Sequence, residues 1–307
     1  MTALPVVHNP RYFAPLPDNH RFPMGKFVAV AEVLRGLGFG PFHEPGLAPA
    51  EWIALAHDRA YVDQVFAAEV PAKVAREIGF PMTERVGLRA RAACAGTTLT
   101  ARLALEHGIA CNTAGGSHHA RAEQGAGFCV FNDVAVAIRV LQADGEIRRA
   151  LVIDCDVHQG DGTARIFAGD PSVMTVSIHA ASNYPVRKAE STVDVPLPDG
   201  TEDDAYLAAL DATLERALSW PADIVFYNAG VDPHAQDRLG RLSLTDRGLA
   251  RRDCRVMEAV RAKGVPLAGV LGGGYMDDVE ALARRHAILH TTAREVWSAG
   301  RPARRSA

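Results

Sequence analysis

The sequence predicts an α/β fold, with a mostly parallel central sheet covered by helices on both faces and carried by one domain over residues 1–307. Three observations carry that expectation. Short β-branched runs alternate with amphipathic stretches of helical length along nearly the whole chain, which implies βαβ units and parallel pairing. No internal repeat, low-complexity stretch or Pro/Gly-rich linker divides it. Glycine-rich segments that also carry His and Asp mostly follow the C-terminal end of an expected strand, the edge where open α/β sheets bind ligands.

Strands are expected at 5–8, 109–112, 150–154, 173–179, 224–228 and 266–271, from their short runs of Val, Ile, Leu and Ala. Helices are expected at about 26–37, 84–107, 132–143, 203–219, 245–263 and 277–295. The second of these places Leu88, Ala92, Ala95, Leu99 and Leu103 at helical spacing, and Gly108 suits its C-terminal cap. The pattern Gly36-Leu37-Gly38-Phe39-Gly40 imitates a dinucleotide-binding motif but follows a helix, so it reads as helix termination. An ordered core of about 5–297 then gives way to a basic, solvated tail at 298–307.

Charge and length exclude several classes. The chain has 307 residues with 33 Lys+Arg against 36 Asp+Glu, a net charge of −3. That balance argues against broad nucleic-acid or membrane-surface binding. A chain this long buries roughly three quarters of its unfolded surface, enough to fold without disulfides. No apolar run approaches the roughly 18 residues of a membrane span, and the N-terminus lacks the pattern of a signal peptide. The five cysteines are scattered without a CxxC pair, so reduced thiols and a cytoplasmic location are expected.

The chemistry concentrates in a few segments. In Asp154-Cys155-Asp156-Val157-His158 the acidic and imidazole side chains share one face while the run stays extended. On its own this spacing is equally well explained by the taste of Asp for turns and caps. Asp232, after the strand at 224–228, supplies a natural third ligand. Two carboxylates and an imidazole suit Zn²⁺, with Fe²⁺ or Co²⁺ possible, and leave a coordination position open for water. His118 and His119 stand together in a glycine-flanked loop, and histidine is the natural group to move protons near neutrality. Asp154 and Asp161 are the spare carboxylates that could orient them. Gly272-Gly273-Gly274 permits close backbone approach to a substrate, and Tyr275 offers a hydroxyl to a developing oxyanion. No GK[ST] follows, which excludes a Walker-type phosphate loop.

Taken together, GGSHHA (115–120), GFCVFND (127–133), VIDCDVHQGDGT (152–163), VMTVSIH (173–179), NAGVDPH (228–234) and LGGGY (271–275) resemble the zinc-dependent histone deacetylase family. The resemblance covers about residues 5–290 and is nearest to the class IV-like bacterial members, through HNPRY, HRFPMGKF, NYP and GTEDDAYL. It implies a three-layer arginase/deacetylase-like fold and one catalytic Zn²⁺ held by Asp156, His158 and Asp232. His118 and His119 would handle protons, backed by Asp154 and Asp161, with His119 as general base and then general acid. Tyr275 would polarise the substrate carbonyl. Gly127, Phe128 and Leu239 would line a slot for an acyl-lysine stem, with Tyr184 as a second wall and Gly273 and Gly274 beside it.

The family also implies structural K⁺ or Na⁺, one near Asp154 and Ser177, another near Phe167 and Val173. Gln159 departs from the family's more common second His, so the surroundings of the ligands differ. The expected activity is metal-dependent hydrolysis of Nε-acyl-lysine, acetyl or longer, on proteins or peptides. The rival readings are an acetylpolyamine or other small-amide hydrolase, and an inactive acyl-lysine-binding module. An arginase-like ureohydrolase is disfavoured, because no second metal-bridging carboxylate follows His158 at the required spacing.

Overall fold

The computed structural model describes residues 3–299. Its centre is a seven-stranded, wholly parallel sheet of β1 (Val6–Val7), β2 (Ile109–Asn112), β3 (Ala150–Asp154), β4 (Val173–Ala180), β5 (Val193–Leu197), β6 (Ile224–Asn228) and β7 (Leu267–Val270). The spatial order is β1-β2-β7-β6-β3-β4-β5. β3 and β6 run in register from Ala150↔Ile224 to Asp154↔Asn228, so their C-terminal ends coincide. β2, β7, β6 and β3 are consecutive neighbours and all parallel, so the four loops that leave them open onto the same edge.

Ten α-helices clothe the sheet among the described residues. α5 (Glu84–His107), α6 (Asp133–Ala143) and α7 (Asp161–Ile166) pack in series. α1 (Lys26–Gly36), α10 (Val279–Ala299), α9 (Asp246–Ala262) and α8 (Asp203–Ala217) form a second series. Three short helices, α2 (Ala50–Ile53), α3 (Arg59–Phe66) and α4 (Ala72–Ile78), make up the 50–78 segment, with α3 against α5 and α2 against α6. β3 and β6 are buried along their whole length, as parallel strands between two helical layers must be.

Local chemistry sets the helix ends. The Thr83 side chain accepts from Val86 N–H to start α5, Asn132 accepts from Ala135 N–H to start α6, and Thr245 accepts from Gly248 N–H to start α9. Gly108 takes φ +87° beyond α5, a conformation glycine adopts readily. After α1, Gly38 takes φ +77°, so the 36–40 glycines do terminate a helix.

Several elements differ from the sequence expectation. β5 was not expected: it is an edge strand containing Pro196, half-exposed along its middle, so its residues carry little strand pattern. α2, α3, α4 and α7 are too short for helical periodicity to show. α10 runs to Ala299, so residues 298 and 299 of the expected tail are helical, and the rest of it lies outside the described residues. No described helix is long and apolar enough to cross a membrane, and all five cysteines are free.

Candidate active site

β3 stops at Asp154, and the chain then turns rather than staying extended. The shared-face argument therefore fails beyond that residue, and turn chemistry takes its place. Asp154 Oδ1 accepts from Asp156 N–H at 3.1 Å, and Asp156 Oδ1 accepts from His158 N–H at 3.0 Å. Two successive side-chain-to-backbone turns of this kind hold a loop that no sheet ladder supports. They bring His158 Nδ1 to 3.0 Å from Asp156 Oδ1 and 3.2 Å from Asp232 Oδ2. Asp232, in the loop after β6, is fixed by the loop after β3, its Oδ1 accepting from Val157 N–H at 2.9 Å.

The glycine run closes over this group. Gly273 N–H donates to Asp156 Oδ2 at 2.7 Å, and a Cβ at Gly273 would lie 2.0 Å from Asp232 Oδ2. Only glycine can therefore stand there. Gly273 also lines a small inner cavity beside His118 and Tyr275. Gly274 instead faces inward, against Val231 and His286, and its carbonyl accepts from Lys26 Nζ at 3.4 Å.

The histidine pair is built from both sides. His118 Nδ1 lies 2.7 Å from Asp154 Oδ2, His119 Nδ1 lies 2.8 Å from Asp161 Oδ1, and the two Nε2 atoms are 3.1 Å apart. Burial opposes a charge on His118, but Asp154 and Asp156 outweigh it and carry the pKa up to about 9. Burial, then the neighbouring His118, push His119 down to about 4 against the pull of Asp161. At neutral pH the pair thus holds one excess proton on His118, and His119 is a neutral base. Burial works against a charged His158 as well, yet its bonds to Asp156 and Asp232 bring it to about 10. Of the two carboxylates, Asp156 is held ionised by His118 and His158 despite its burial, while burial and Asp156 raise Asp232. Burial, with Asp156 and Asp232 close by, keeps the Tyr275 phenol protonated.

A cleft of about 320 Å³ leads down to His119 and His158, and Gly127, Phe128, Tyr184, Leu239 and Tyr275 line it. Tyr184 meets His119 edge to face with ring centroids 4.8 Å apart. Gly127 takes φ +54°, and a Cβ there would stand 2.7 Å from His119 Cδ2. Phe128 itself takes φ +64°, a strained conformation of the kind that persists where surroundings over-determine it. Behind the site, the inner cavity of about 30 Å³ is lined by Lys26 and Arg89 as well as His118, Gly273 and Tyr275. Burial lowers Lys26 to about 8.

The structure places the remaining expected residues separately. Asp154 and Ser177 are register partners on β3 and β4, whereas Phe167 follows α7 and Val173 opens β4. Gln159 turns away from the site: its amide bridges Ala189 O, Ala189 N–H and Asp194 Oδ1, pinning the approach to β5.

Other contributors were not singled out from the sequence, although Asp133 and Asn228 lie at the ends of the GFCVFND and NAGVDPH segments. Asp133 accepts from the Gly116 and Ser117 N–H groups and so shapes the histidine loop. Asn228 Nδ2 donates to Asp154 Oδ1 at 2.9 Å. Arg252, wholly buried, donates to Cys155 O at 3.2 Å and Gly230 O at 2.6 Å, tying both ligand loops to α9. A residue that acts on a backbone group of another element, as Arg252 does, has no local pattern. The N-cap position of Asn132 before Asp133 was a further hint for the first of them.

The donor set fits a divalent cation. Ligand atoms of Asp156, His158 and Asp232 all lie within 4.8 Å of one another and are buried. Apart from the 3.2 Å approach of His158 Nδ1, buried Asp232 Oδ2 has no well-aligned hydrogen-bond donor, which leaves it room for a cation on that side. Two carboxylates crowd one imidazole with no thiolate present, a hard-to-borderline set suited to Zn²⁺ or Fe²⁺.

Comparison with known proteins places the chain in a family. The histone deacetylase domain profile matches residues 20–291. A protein of Picosynechococcus sp. that carries no functional description is 46% identical over 95% of this chain and 99% of its own length. Histone deacetylase 2 of Arabidopsis thaliana is 35% identical over 70% of this chain, which spans only 57% of that protein. A probable deacetylase of Methanothermobacter thermautotrophicus is 29% identical over 91% of this chain and 87% of its own length. Among solved structures, the HDA15 HD domain superposes with a TM-score of 0.78 at 22% identity, covering 97% of this chain and 93% of that one. The acetylpolyamine aminohydrolase from Burkholderia pseudomallei superposes equally well, with a TM-score of 0.78 at 21% identity over 95% of this chain and 98% of that one. By its profile, its relatives and its fold, the chain belongs to the histone deacetylase domain family, within the arginase/deacetylase superfamily.

Proposed function

We propose that this chain works as one catalytic domain over 1–307 and hydrolyses Nε-acyl-lysine on proteins or peptides. Asp156, His158 and Asp232 would hold the divalent cation, Zn²⁺ before Fe²⁺ or Co²⁺. One observation carries the reading: these three donors converge within 4.8 Å at the bottom of a cleft that also presents His119 and Tyr275. When bound there, the cation supplies a Lewis acid and makes water a stronger acid at neutral pH.

The chain's own residues do the rest. The cleft between Phe128, Tyr184 and Leu239 takes an unbranched stem and excludes water from it. Asp161 holds the Nδ1 proton of His119, so Nε2 is its basic atom, and it would leave the His118 Nε2–H at 3.1 Å to take a proton from the attacking water. A C–O bond forms as the acyl carbon turns tetrahedral. Tyr275 donates its hydroxyl proton in a hydrogen bond to the carbonyl oxygen as charge grows there. His119 then returns its proton to the amine nitrogen as the C–N bond breaks, giving a carboxylic acid and free lysine. His118, charged through Asp154, adds a fixed positive field beside these steps. The inner cavity of about 30 Å³ has room for about one water-sized body, which favours acetyl over long acyl groups. A monovalent K⁺ or Na⁺ near Asp154 and Ser177, in line with the family resemblance, would brace the end of β3.

The test is acetyl release from an acetyl-lysine peptide, with and without a chelator and with acetylspermidine alongside. Chelator-sensitive turnover of the peptide is expected, and Tyr275→Phe should lose about 10²–10³ of it with its metal content unchanged. Normal turnover by that variant would contradict the role of the phenol. Turnover of acetylspermidine alone would move the chain to small-amine substrates. Silence on both in metal-loaded protein would leave an acyl-lysine-binding module.

A further inference from the structure

The mouth of the cleft carries an unanswered positive charge. Besides the site histidines, the charged residues of its lining are Arg21, Arg76 and Glu77. Glu77 is already engaged: Gln124 Nε2 donates to it, and Arg121 Nη2 lies 3.9 Å away. Nearby acids are spoken for as well. Asp237 is turned inward, accepting from the Leu239, Gly240 and Tyr275 N–H groups at 2.8, 3.0 and 2.6 Å. Asp277 pairs with Arg238. The guanidinium groups of Arg21 and Arg76 are exposed, and neither has an ion-pair or hydrogen-bond partner among the described residues.

Both arginines project from anchored backbone. Arg238 Nη2 donates to Arg21 O at 3.1 Å, and His20 Nε2 lies 2.8 Å from Gly79 O, which stitches the 20–21 segment to the end of α4. Arg76 belongs to the last turn of α4. That turn is fastened to the cleft wall by Gly127 N–H to Glu77 O and Phe128 N–H to Ile78 O, at 2.9 and 2.7 Å. The two charges therefore border the entrance on fixed supports, in a protein whose overall charge is −3.

Building on the acyl-lysine reading above, we propose that Arg21 and Arg76 select acyl-lysines set in acidic sequence, and that the same charges turn away acylated polyamines. A peptide threading its lysine stem past Phe128 leaves its flanking residues at the rim, where carboxylates would meet two guanidinium groups. A polyamine would bring its remaining ammonium groups to the same place. Rim charges act through encounter rate and weak, salt-screened pairing. Two exposed pairs of this kind give a preference of about threefold to tenfold.

The experiment compares kcat/KM for matched acetyl-lysine peptides with Asp/Glu, neutral or Lys/Arg flanks, with acetylspermidine alongside, on metal-loaded enzyme at low and high salt. The acidic peptide should lead the basic one by about threefold to tenfold, with the gap closing as salt rises. In an Arg21→Glu/Arg76→Glu double variant the order should reverse. The ratio is read within one preparation, so partial misfolding cancels from it. Equal turnover of all flanks, or a preference that survives the double variant, would overturn the assignment and leave acyl-lysine hydrolysis standing. Acetylspermidine as the best substrate would overturn both readings. Binding of the same peptides to metal-loaded Tyr275→Phe, followed by fluorescence anisotropy, separates the two failures. A flank preference in binding supports the rim assignment even where turnover is absent, and its absence there counts against it.

Discussion

The floor of the site and its mouth are built by opposite rules. At the floor almost every charge is answered from within the chain: Asp154 by His118 and Asn228, Asp161 by His119, Asp156 by His158 and Gly273. Glycines stand where a single Cβ would collide with the Asp156 and Asp232 carboxylates or the His119 ring. At the mouth, two arginines reach solvent with no partner among the described residues. The floor is over-determined, so its residues can hardly change without loss of the site. The mouth is constrained only in its backbone, and its charges are free to be set by what must enter.

The sharpest break in this comparison is removal of a proposed ligand from the floor. Asp156→Ala takes away one of the three converging donors and the acceptor of the Gly273 and His158 N–H groups. Zinc binding should fall below detection when titrated against a competing chelator, and full occupancy would refute the ligand set. One step back from the ligands, Arg252 tests whether the over-determination extends into α9. Its guanidinium serves Asp253 as well as the Cys155 and Gly230 carbonyls. Arg252→Met would leave Asp253 as a buried charge without its cation, which costs about 3–5 kcal/mol in such settings. Urea unfolding should register that loss. A change under about 1 kcal/mol would mean that Tyr227, which also bonds Asp253, suffices alone.

The same contrast explains what could be read in the sequence. The strands at 109–112, 150–154 and 224–228 coincide with β2, β3 and β6, because fully buried parallel strands are written as unbroken apolar runs. The ligand, histidine and tyrosine positions were legible because their residue types are scarce and cluster at strand ends. What held them was not legible. Pleating aligned Asp154, Asp156 and His158 on the wrong geometry, since turns place the last two, although the structure does bring these side chains together. Arg252 and Asp133 act across about a hundred and about sixteen positions of sequence on backbone groups, where no spacing rule applies. The wall formed by α4 was missed because a seven-residue helix spans about two turns and shows no reliable period. With α4 unseen, nothing in the sequence set Arg76 apart.

A smaller effect separates buried imidazoles that donate from those that accept, and it can be measured without any substrate. His118 gives both ring protons to neighbours and is raised to about 9, whereas His57 must stay neutral. Its Nε2 accepts from the Asn132 N–H that opens α6, at 2.9 Å, between the rings of Tyr61 and Phe131. Burial therefore lowers it from 6.5 to about 4, with the Arg121 and Ala122 carbonyls pulling weakly the other way. Because the folded pKa lies below the unfolded one, the unfolded chain takes a proton that the folded chain refuses. The fold loses stability as the pH drops beneath about 6.5, and the loss is complete near 4, at most about 3 kcal/mol from this residue. His57→Gln keeps an acceptor for Asn132 but cannot titrate. Between pH 6.5 and 4 its unfolding free energy should fall less steeply than that of the native chain, by up to one proton, about 1.4 kcal/mol per pH unit. Parallel curves across that window would show that His57 is protonated in the fold, and that acceptor geometry does not set its charge.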